Sequence, residues 1–196
     1  MTLRVIQWAT GGIGLASIVA IASHPELELV GCWVHSDDKV GRDAGELAGI
    51  GPIGVEATND VEALLALKGD CVMYGPVMTN REELIRILES GANVVTPLGF
   101  FYRGDRDWDV FEAACQKGNV SLHGTGIHPG GVTERFPLAV SGMSRDITHV
   151  RAEEWSDIRT YGAPQVVGDI MLFGKTPEEA AKSPMVHFLG EGFCQS

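Results

Sequence analysis

Arg4-Val5-Ile6-Gln7-Trp8-Ala9-Thr10-Gly11-Gly12-Ile13-Gly14 stands almost at the start of the chain and decides how the rest is read. Residues 4–8 form a short apolar run with the β-rich character of a buried strand. A turn of small residues follows at once, and a helical pattern begins inside it. Strand, glycine turn and helix in direct succession is the setting in which glycine spacing signals a dinucleotide pyrophosphate site. Gly11 would let the backbone approach the pyrophosphate, and Gly14 would let the helix sit close to the strand. The N–H groups at the helix start, with the positive end of the helix dipole, favour an anionic phosphate. Thr10, Gly11, Gly12, Ile13 and Gly14 are therefore candidate cofactor-binding residues. The motif has alanine rather than glycine at its first position, Ala9. An ordinary tight strand-to-helix turn would look similar, so the motif is weighed with the rest of the chain.

Moving outward, residues 12–23 (GIGLASIVAIAS) make a broadly apolar helix suited to packing on a sheet. His24-Pro25 ends it, because the residue before proline avoids the helical region. Residues 27–34 (LELVGCWV) are nearly continuous in apolar side chains, as in a parallel strand covered on both faces. An NAD site usually places an acid at this strand tip, about 20 residues past the glycines, to hold the ribose 2′-hydroxyl. Here the tip is His35-Ser36, the acids Asp37 and Asp38 come slightly later, and Lys39 and Arg42 lie beside them. A 2′-phosphate would be welcomed by Ser36, Lys39 and Arg42 and repelled by an acid at the tip. NADP is the expected cofactor, with NAD still served if Asp37 takes the ribose.

The alternation continues. A helical piece is expected at 43–48, a helix at 59–67 opened by Asn59-x-x-Glu62, and a strand at 70–74. A helix at 80–90 follows, opened by Thr79-x-x-Glu82 and stopped by Gly91. Strands at 93–96 and 120–123 flank a helix at 107–117 stopped by Gly118. Such alternation with short connections predicts an α/β fold, a doubly wound parallel (Rossmann) sheet. Beyond it, helical patterns at 133–143 and within 157–173, an alternating run at 147–155 and the helix start Thr176-Pro177-Glu178-Glu179 read as the beginning of an incomplete α+β second domain. The expected division is 1–130 for dinucleotide binding and 131–196 for part of a substrate and dimerisation domain.

Composition narrows the function classes. The net charge of −11, from 15 basic and 26 acidic residues, argues against nucleic-acid or membrane-surface binding. No apolar run is long enough to span a bilayer, and no leader pattern precedes the first strand, so a cytoplasmic location is expected. The four cysteines are dispersed, with no Cys-x-x-Cys pair. They read as reduced, mostly buried thiols, and no metal is expected.

In doubly wound sheets, ligands lie at the carboxyl ends of the strands. That rule nominates Gly75 after the 70–74 strand, the aromatic loop at 97–103 and the glycine-rich turn at 124–131. Phe100 and Phe101 would either face a nicotinamide or close the core. Tyr102 and His128 are the catalytic candidates, as proton donors or hydrogen-bonding groups. Thr125 and Gly126 join the cofactor set, since glycines there allow close backbone approach to a ring. Glu154 is a weaker candidate, more simply read as an exposed strand residue.

Six stretches together resemble the dihydrodipicolinate reductase-like proteins, and within them the 2,4-diaminopentanoate dehydrogenase and native amine dehydrogenase branch. They are residues 4–14, 29–33 (LVGCW), 39–47 (KVGRDAGEL), 93–96 (NVVT), 124–130 (GTGIHPG) and 173–179 (FGKTPEE). The resemblance implies an NAD(P)-dependent oxidoreductase that moves hydride to or from a small imine, carbonyl or amine. It also implies a second mixed domain that forms the substrate pocket and a homodimer interface. By the same analogy Gly11, Gly12, Ile13 and Gly14 bind pyrophosphate. Ser36, Lys39 and Arg42 lie near the adenosine ribose, and Thr125, Gly126 and His128 near the nicotinamide. Two departures stand out. The segment Pro97-Leu98-Gly99-Phe100-Phe101 lacks the glutamate that characterised amine dehydrogenases carry there, and family members run well beyond this length. A nucleotide-binding module without turnover is therefore the alternative function.

Overall fold

The computed structural model describes residues 2–101, 108–128, 130–151, 153, 155–187 and 190. The chain divides into two compact units, residues 1–124 and 125–196.

The first unit is built on a six-stranded sheet in the order β3-β2-β1-β4-β5-β6, every neighbouring pair parallel. Its strands are β1 (Leu3–Trp8), β2 (Leu27–Trp33), β3 (Ala57–Thr58), β4 (Cys71–Tyr74), β5 (Asn93–Thr96) and β6 (Leu122–Gly124). The helices between them are α1 (Gly12–Ser23), α2 (Ala44–Leu47), α3 (Val61–Ala66), α4 (Arg81–Glu89) and α5 (Trp108–Gly118). Successive strand residues point to opposite faces, so each strand feeds two cores. Val5, Leu29 and Cys32 pack with Ile18 and Ile21 of α1 and Ala44 of α2. Ile6, Trp8, Val72, Tyr74 and Val94 pack with Leu64 of α3, Leu84, Ile87 and Leu88 of α4, and Phe111 and Ala114 of α5. The strand order reverses between β1 and β4, which puts the topological switch point beside the carboxyl end of β1.

The two-residue strand β3 was not anticipated from the sequence, because two residues carry no periodicity. It forms by pairing Cys32 with Ala57 and Trp33 with Thr58. The helix caps differ by one residue from the expected ones. Asp60, not Asn59, accepts from the Ala63 N–H (3.0 Å), and Asn80, not Thr79, accepts from the Glu83 N–H (3.3 Å). Gly91 follows α4 with φ +93°, as its place in the sequence suggested. After α5 the left-handed residue is Asn119 (φ 55°), while Gly118 is still helical. Gly118 is constrained by packing instead, since a Cβ there would lie 2.0 Å from the Leu88 carbonyl oxygen.

Asp43 organises the glycine-rich stretch between α2 and β3. Its carboxylate accepts from the N–H groups of Gly45, Glu46, Ile53 and Gly54. Desolvation works against the charged form, but these four backbone bonds outweigh it and hold the carboxyl below its ordinary range. A carboxyl with a depressed folded-state pKa contributes stability above its unfolded pKa and loses it as pH falls through the folded value. The wild-type melting temperature should therefore fall on acidification below about pH 4. Asp43→Asn should lower it already at neutral pH and flatten that acid limb; an unchanged limb would show that the titrating group is elsewhere.

The second unit contains α6 (Phe136–Ser141), α7 (Pro177–Ala180), π-helical turns at Gly131–Arg135 and Val166–Ile170, and a 3₁₀ turn at Ile158–Thr160. The expected helix start at Thr176 is present as a complete capping box. Thr176 accepts from the Glu179 N–H, and Glu179 accepts from the Thr176 N–H. The alternating run at 147–155 is not a strand in its described residues. Alternation predicts a strand only where a partner strand supplies the ladder, and no described residue of this unit is in one. None of the unit's described residues is buried, and Phe136, Leu138, Met143 and Trp155 are well exposed. No helix among the described residues is long and apolar enough to cross a membrane.

Candidate functional site

The site is built where β1 runs out. The Ala9 N–H donates to the Trp33 carbonyl (3.0 Å), and the Gly75 N–H donates to the Trp8 carbonyl (3.0 Å). The ends of β2, β1 and β4 are thereby tied side by side. Ala9 then turns with φ 76°, the left-handed region that glycine occupies without penalty and alanine does not. The motif's one irregular residue thus adopts the conformation its missing glycine would have allowed.

Helix α1 begins immediately after. Gly11 is its N-cap, no side chain caps it, and no acid lies in its first turn. An N-terminus left without a side-chain cap presents N–H donors and positive potential. The three glycines of the turn have different reasons to be glycine. At Gly14 a Cβ would sit 2.0 Å from the Ala9 carbonyl oxygen and 3.1 Å from Gln7 Nε2, so packing of helix on strand requires its absence. At Gly11 and Gly12 a Cβ would meet nothing within 4 Å. Their φ angles are not left-handed either, Gly11 having φ −75°. Neither strain nor packing asks for glycine at these two positions. What a side chain there would occupy is the open space in front of the helix N-terminus. The residues present therefore fit a pyrophosphate drawn close to the backbone.

Lys39 reaches this turn from the loop after β2. Its Nζ donates to the Thr10 carbonyl and to Thr10 Oγ1, each at 3.2 Å. Ser36 precedes the 3₁₀ turn Asp37–Lys39 as its cap residue. Asp37 accepts from Asn59 Nδ2 at 3.1 Å. Arg42 is exposed, tied through its backbone to Ala57 and Lys39. His35 is also exposed, its ring 6.1 Å from that of Trp33. Trp33 in turn stacks on Trp8 at 5.5 Å. Thr10, Gly11, Gly12, Lys39 and Gly75 thus gather on one edge of the sheet, with Ser36, His35 and Arg42 in the loop beside them.

The aromatic loop after β5 divides. Phe100 is buried in the core, edge-on to Trp108 and Phe111. Its backbone lies so close to Gly124 that a Cβ there would fall 2.1 Å from the Phe100 carbonyl. Phe101 is half-buried, and Tyr102 lies outside the described residues, as does Glu154. Thr125, Gly126 and His128 belong to the second unit. There the turn folds tightly on itself, with the Gly131 and Val132 N–H groups donating to the Ile127 carbonyl at 2.9 and 2.7 Å. Glu134 accepts from both the Gly130 N–H and Thr133 Oγ1, and His128 is half-buried.

Burial raises the pKa of the three described cysteines, Cys32 to about 12, so none is set up as a thiolate nucleophile. Tyr74 is likewise pushed up, by burial first. Its hydroxyl donates to Glu83 Oε1 and accepts from the Asn80 N–H, which orders the start of α4. Gln7 was not singled out from the sequence, and Ala9 was noted only as the motif's departure from glycine, not as a left-handed residue. A polar residue inside an apolar strand run was the one available signal for Gln7.

The family described as dihydrodipicolinate reductase, N-terminus, matches residues 5–74, which run from β1 to β4. Over those residues the chain resembles the dihydrodipicolinate reductase-like family. It is 35% identical over 184 residues to an amine dehydrogenase of Streptomyces virginiae, covering 88% of this chain and 51% of that protein. It is 44% identical over 63 residues to a 4-hydroxy-tetrahydrodipicolinate reductase of Synechococcus elongatus, covering 32% of this chain and 23% of that one. Among solved structures, the amine dehydrogenase from Mycobacterium smegmatis superimposes with a TM-score of 0.56 at 24% identity, over 64% of this chain and 40% of that one. That likeness supports the fold. The chain spans about half the length of the amine dehydrogenase it matches.

Proposed function

We propose that this chain is the cofactor-binding part of an NADP-preferring oxidoreductase acting on a small imine, carbonyl or amine. The single observation that carries the reading is the open space over Gly11 and Gly12 at an uncapped helix N-terminus. Its relatives' names, an amine dehydrogenase and 4-hydroxy-tetrahydrodipicolinate reductases, support a nicotinamide cofactor and redox chemistry. In this reading the N–H groups at the start of α1 and Thr10 hold the pyrophosphate. Gly75 leaves room beside them at the end of β4. When bound, the nicotinamide supplies or accepts hydride. His128 and Tyr102 are proposed to hold or move the substrate proton, and Thr125 and Gly126 to approach the nicotinamide.

The preference for NADP rests on the β2 tip. Lys39 stands against Thr10, and Asp37 already accepts from the Asn59 amide through one oxygen. Lys39→Met should weaken NADPH about tenfold, the scale of one charge-assisted phosphate contact, and leave NADH unchanged. Equal loss for both cofactors would remove the 2′-phosphate assignment and leave Lys39 as a clamp on Thr10.

A second reading, a nucleotide-binding module without turnover in this chain, is favoured by the second unit. None of its described residues is buried, so those residues enclose no pocket. The two readings separate in an assay of NADPH oxidation with ammonia and a panel of small ketones. Substrate-dependent oxidation supports the first reading, and saturable binding without oxidation supports the second.

A further inference from the structure

Gln7 is the polar exception in β1. It is fully buried, on the same side of β1 as Val5, and its Nε2 lies 3.1 Å from where a Cβ of Gly14 would stand. Its Nε2 donates to the Ala9 carbonyl at 2.9 Å and, more weakly, to the Trp8 carbonyl at 3.3 Å. Its Oε1 is buried with no hydrogen-bond partner among the described residues. A buried amide satisfied on one side only costs stability, and valine or isoleucine would make a better strand residue here. The strand therefore does not explain glutamine.

The turn does. Ala9 is left-handed, and its carbonyl oxygen lies directly under the first turn of α1, 2.0 Å from where a Cβ of Gly14 would stand. A peptide oxygen carries partial negative charge. Held beneath the helix, it is kept out of the space over Gly11 and Gly12. Rotated outward, it would put that charge where the phosphate is expected and turn a donor cradle into a mixed one. The Gln7 amide supplies a hydrogen bond that favours the inward orientation.

We infer that Gln7 is a positioning residue for the phosphate-binding turn, its amide fixing the Ala9 carbonyl inward so that backbone donors alone face the pyrophosphate. The inference rests on the cofactor reading above, and it locates the effect at the pyrophosphate end of the ligand rather than at the adenosine.

The test compares wild type with Gln7→Met, which keeps length and apolar volume and loses the donor, and with Gln7→Glu, which keeps shape and replaces the donor by a charge. NADPH carries the pyrophosphate; adenosine 2′-monophosphate does not. Both are titrated into each protein alongside a melting curve. NADPH affinity should fall about tenfold in Gln7→Met and further in Gln7→Glu, with adenosine 2′-monophosphate affinity unchanged and the melting temperature of Gln7→Met little altered. Equal loss for both ligands, or no loss for NADPH, overturns the inference. So does failure of both variants to fold, which would make Gln7 a residue of the fold rather than of the turn. If wild type binds adenosine 2′-monophosphate but not NADPH, or neither, the cofactor reading fails first, and that result is seen before any variant is made.

Discussion

Gly11→Ala should leave the protein folded and cost at least tenfold in NADPH affinity, about 1.4 kcal/mol or more. The added methyl meets no protein atom within 4 Å, and a φ of −75° is one that alanine adopts freely. Alanine is a poorer N-cap than glycine by up to about 1 kcal/mol, so the melting temperature should fall by about 5 °C at most. All of the large effect falls on the ligand, because the methyl stands in the space the pyrophosphate needs. Circular dichroism melting and a cofactor titration on the same sample read the two quantities. A variant that binds like wild type would mean that the open space over Gly11 is empty for some other reason, and the motif would revert to an ordinary tight turn.

Gly14→Ala should do the opposite and unsettle the fold. Its methyl would stand 2.0 Å from the Ala9 oxygen and 2.9 Å from the Ala9 carbonyl carbon, both backbone atoms that cannot rotate aside. Helix α1 must move off β1 or the left-handed turn must open. Either response loosens the packing of Ile18 and Ile21 on Val5 and Leu29. Overpacking of this kind costs about 3 kcal/mol, which for a unit of this size lowers the melting temperature by about 10 °C. Differential scanning calorimetry reads it directly, and a variant that melts with wild type would show that the helix can shift at no cost. The two substitutions, three residues apart in one motif, should thus separate, Gly11→Ala acting on the proposed ligand and Gly14→Ala on the core.

How far the sequence could lead is best seen at particular residues. The β1-turn-α1 unit, the parallel order of the sheet and the helices that cover it were readable because apolar periodicity and glycine spacing are local signals. Gly91 was readable as a helix stop for the same reason. What escaped was decided by partners distant in the chain. Strand β3 exists because Ala57 and Thr58 find Cys32 and Trp33. The run at 147–155 has a strand's alternation and no strand to pair with among the described residues. In the site, the glycines and Lys39 were nominated from spacing and charge. Gln7 and the left-handed turn at Ala9 were not, since a buried amide and a backbone dihedral become meaningful only once α1 is laid on β1. Phe100 was open between site and core, and its edge-on contacts with Trp108 and Phe111 place it in the core.

In the proposed site it is the negative features of the turn that would bind the ligand. No side chain caps α1, no acid enters its first turn, and a Cβ at Gly11 or Gly12 would meet no described atom within 4 Å outside its own turn. Four other helices, α2, α3, α4 and α7, carry side-chain caps at Asp43, Asp60, Asn80 and Thr176, while α6, like α1, has none. An uncapped, glycine-fronted helix at the switch point of the sheet is what the proposed pyrophosphate site would use.

The measurement to make first is an equilibrium titration of the wild-type chain with NADPH, followed by quenching of tryptophan emission. Trp8 and Trp33 stack on each other at the carboxyl ends of β1 and β2, beside the turn, and so report on its occupancy. A saturable one-to-one quench, tighter for NADPH than for NADH and lost in Gly11→Ala, is the expected result. A linear response without saturation for either cofactor would contradict the assignment of this turn as a dinucleotide site.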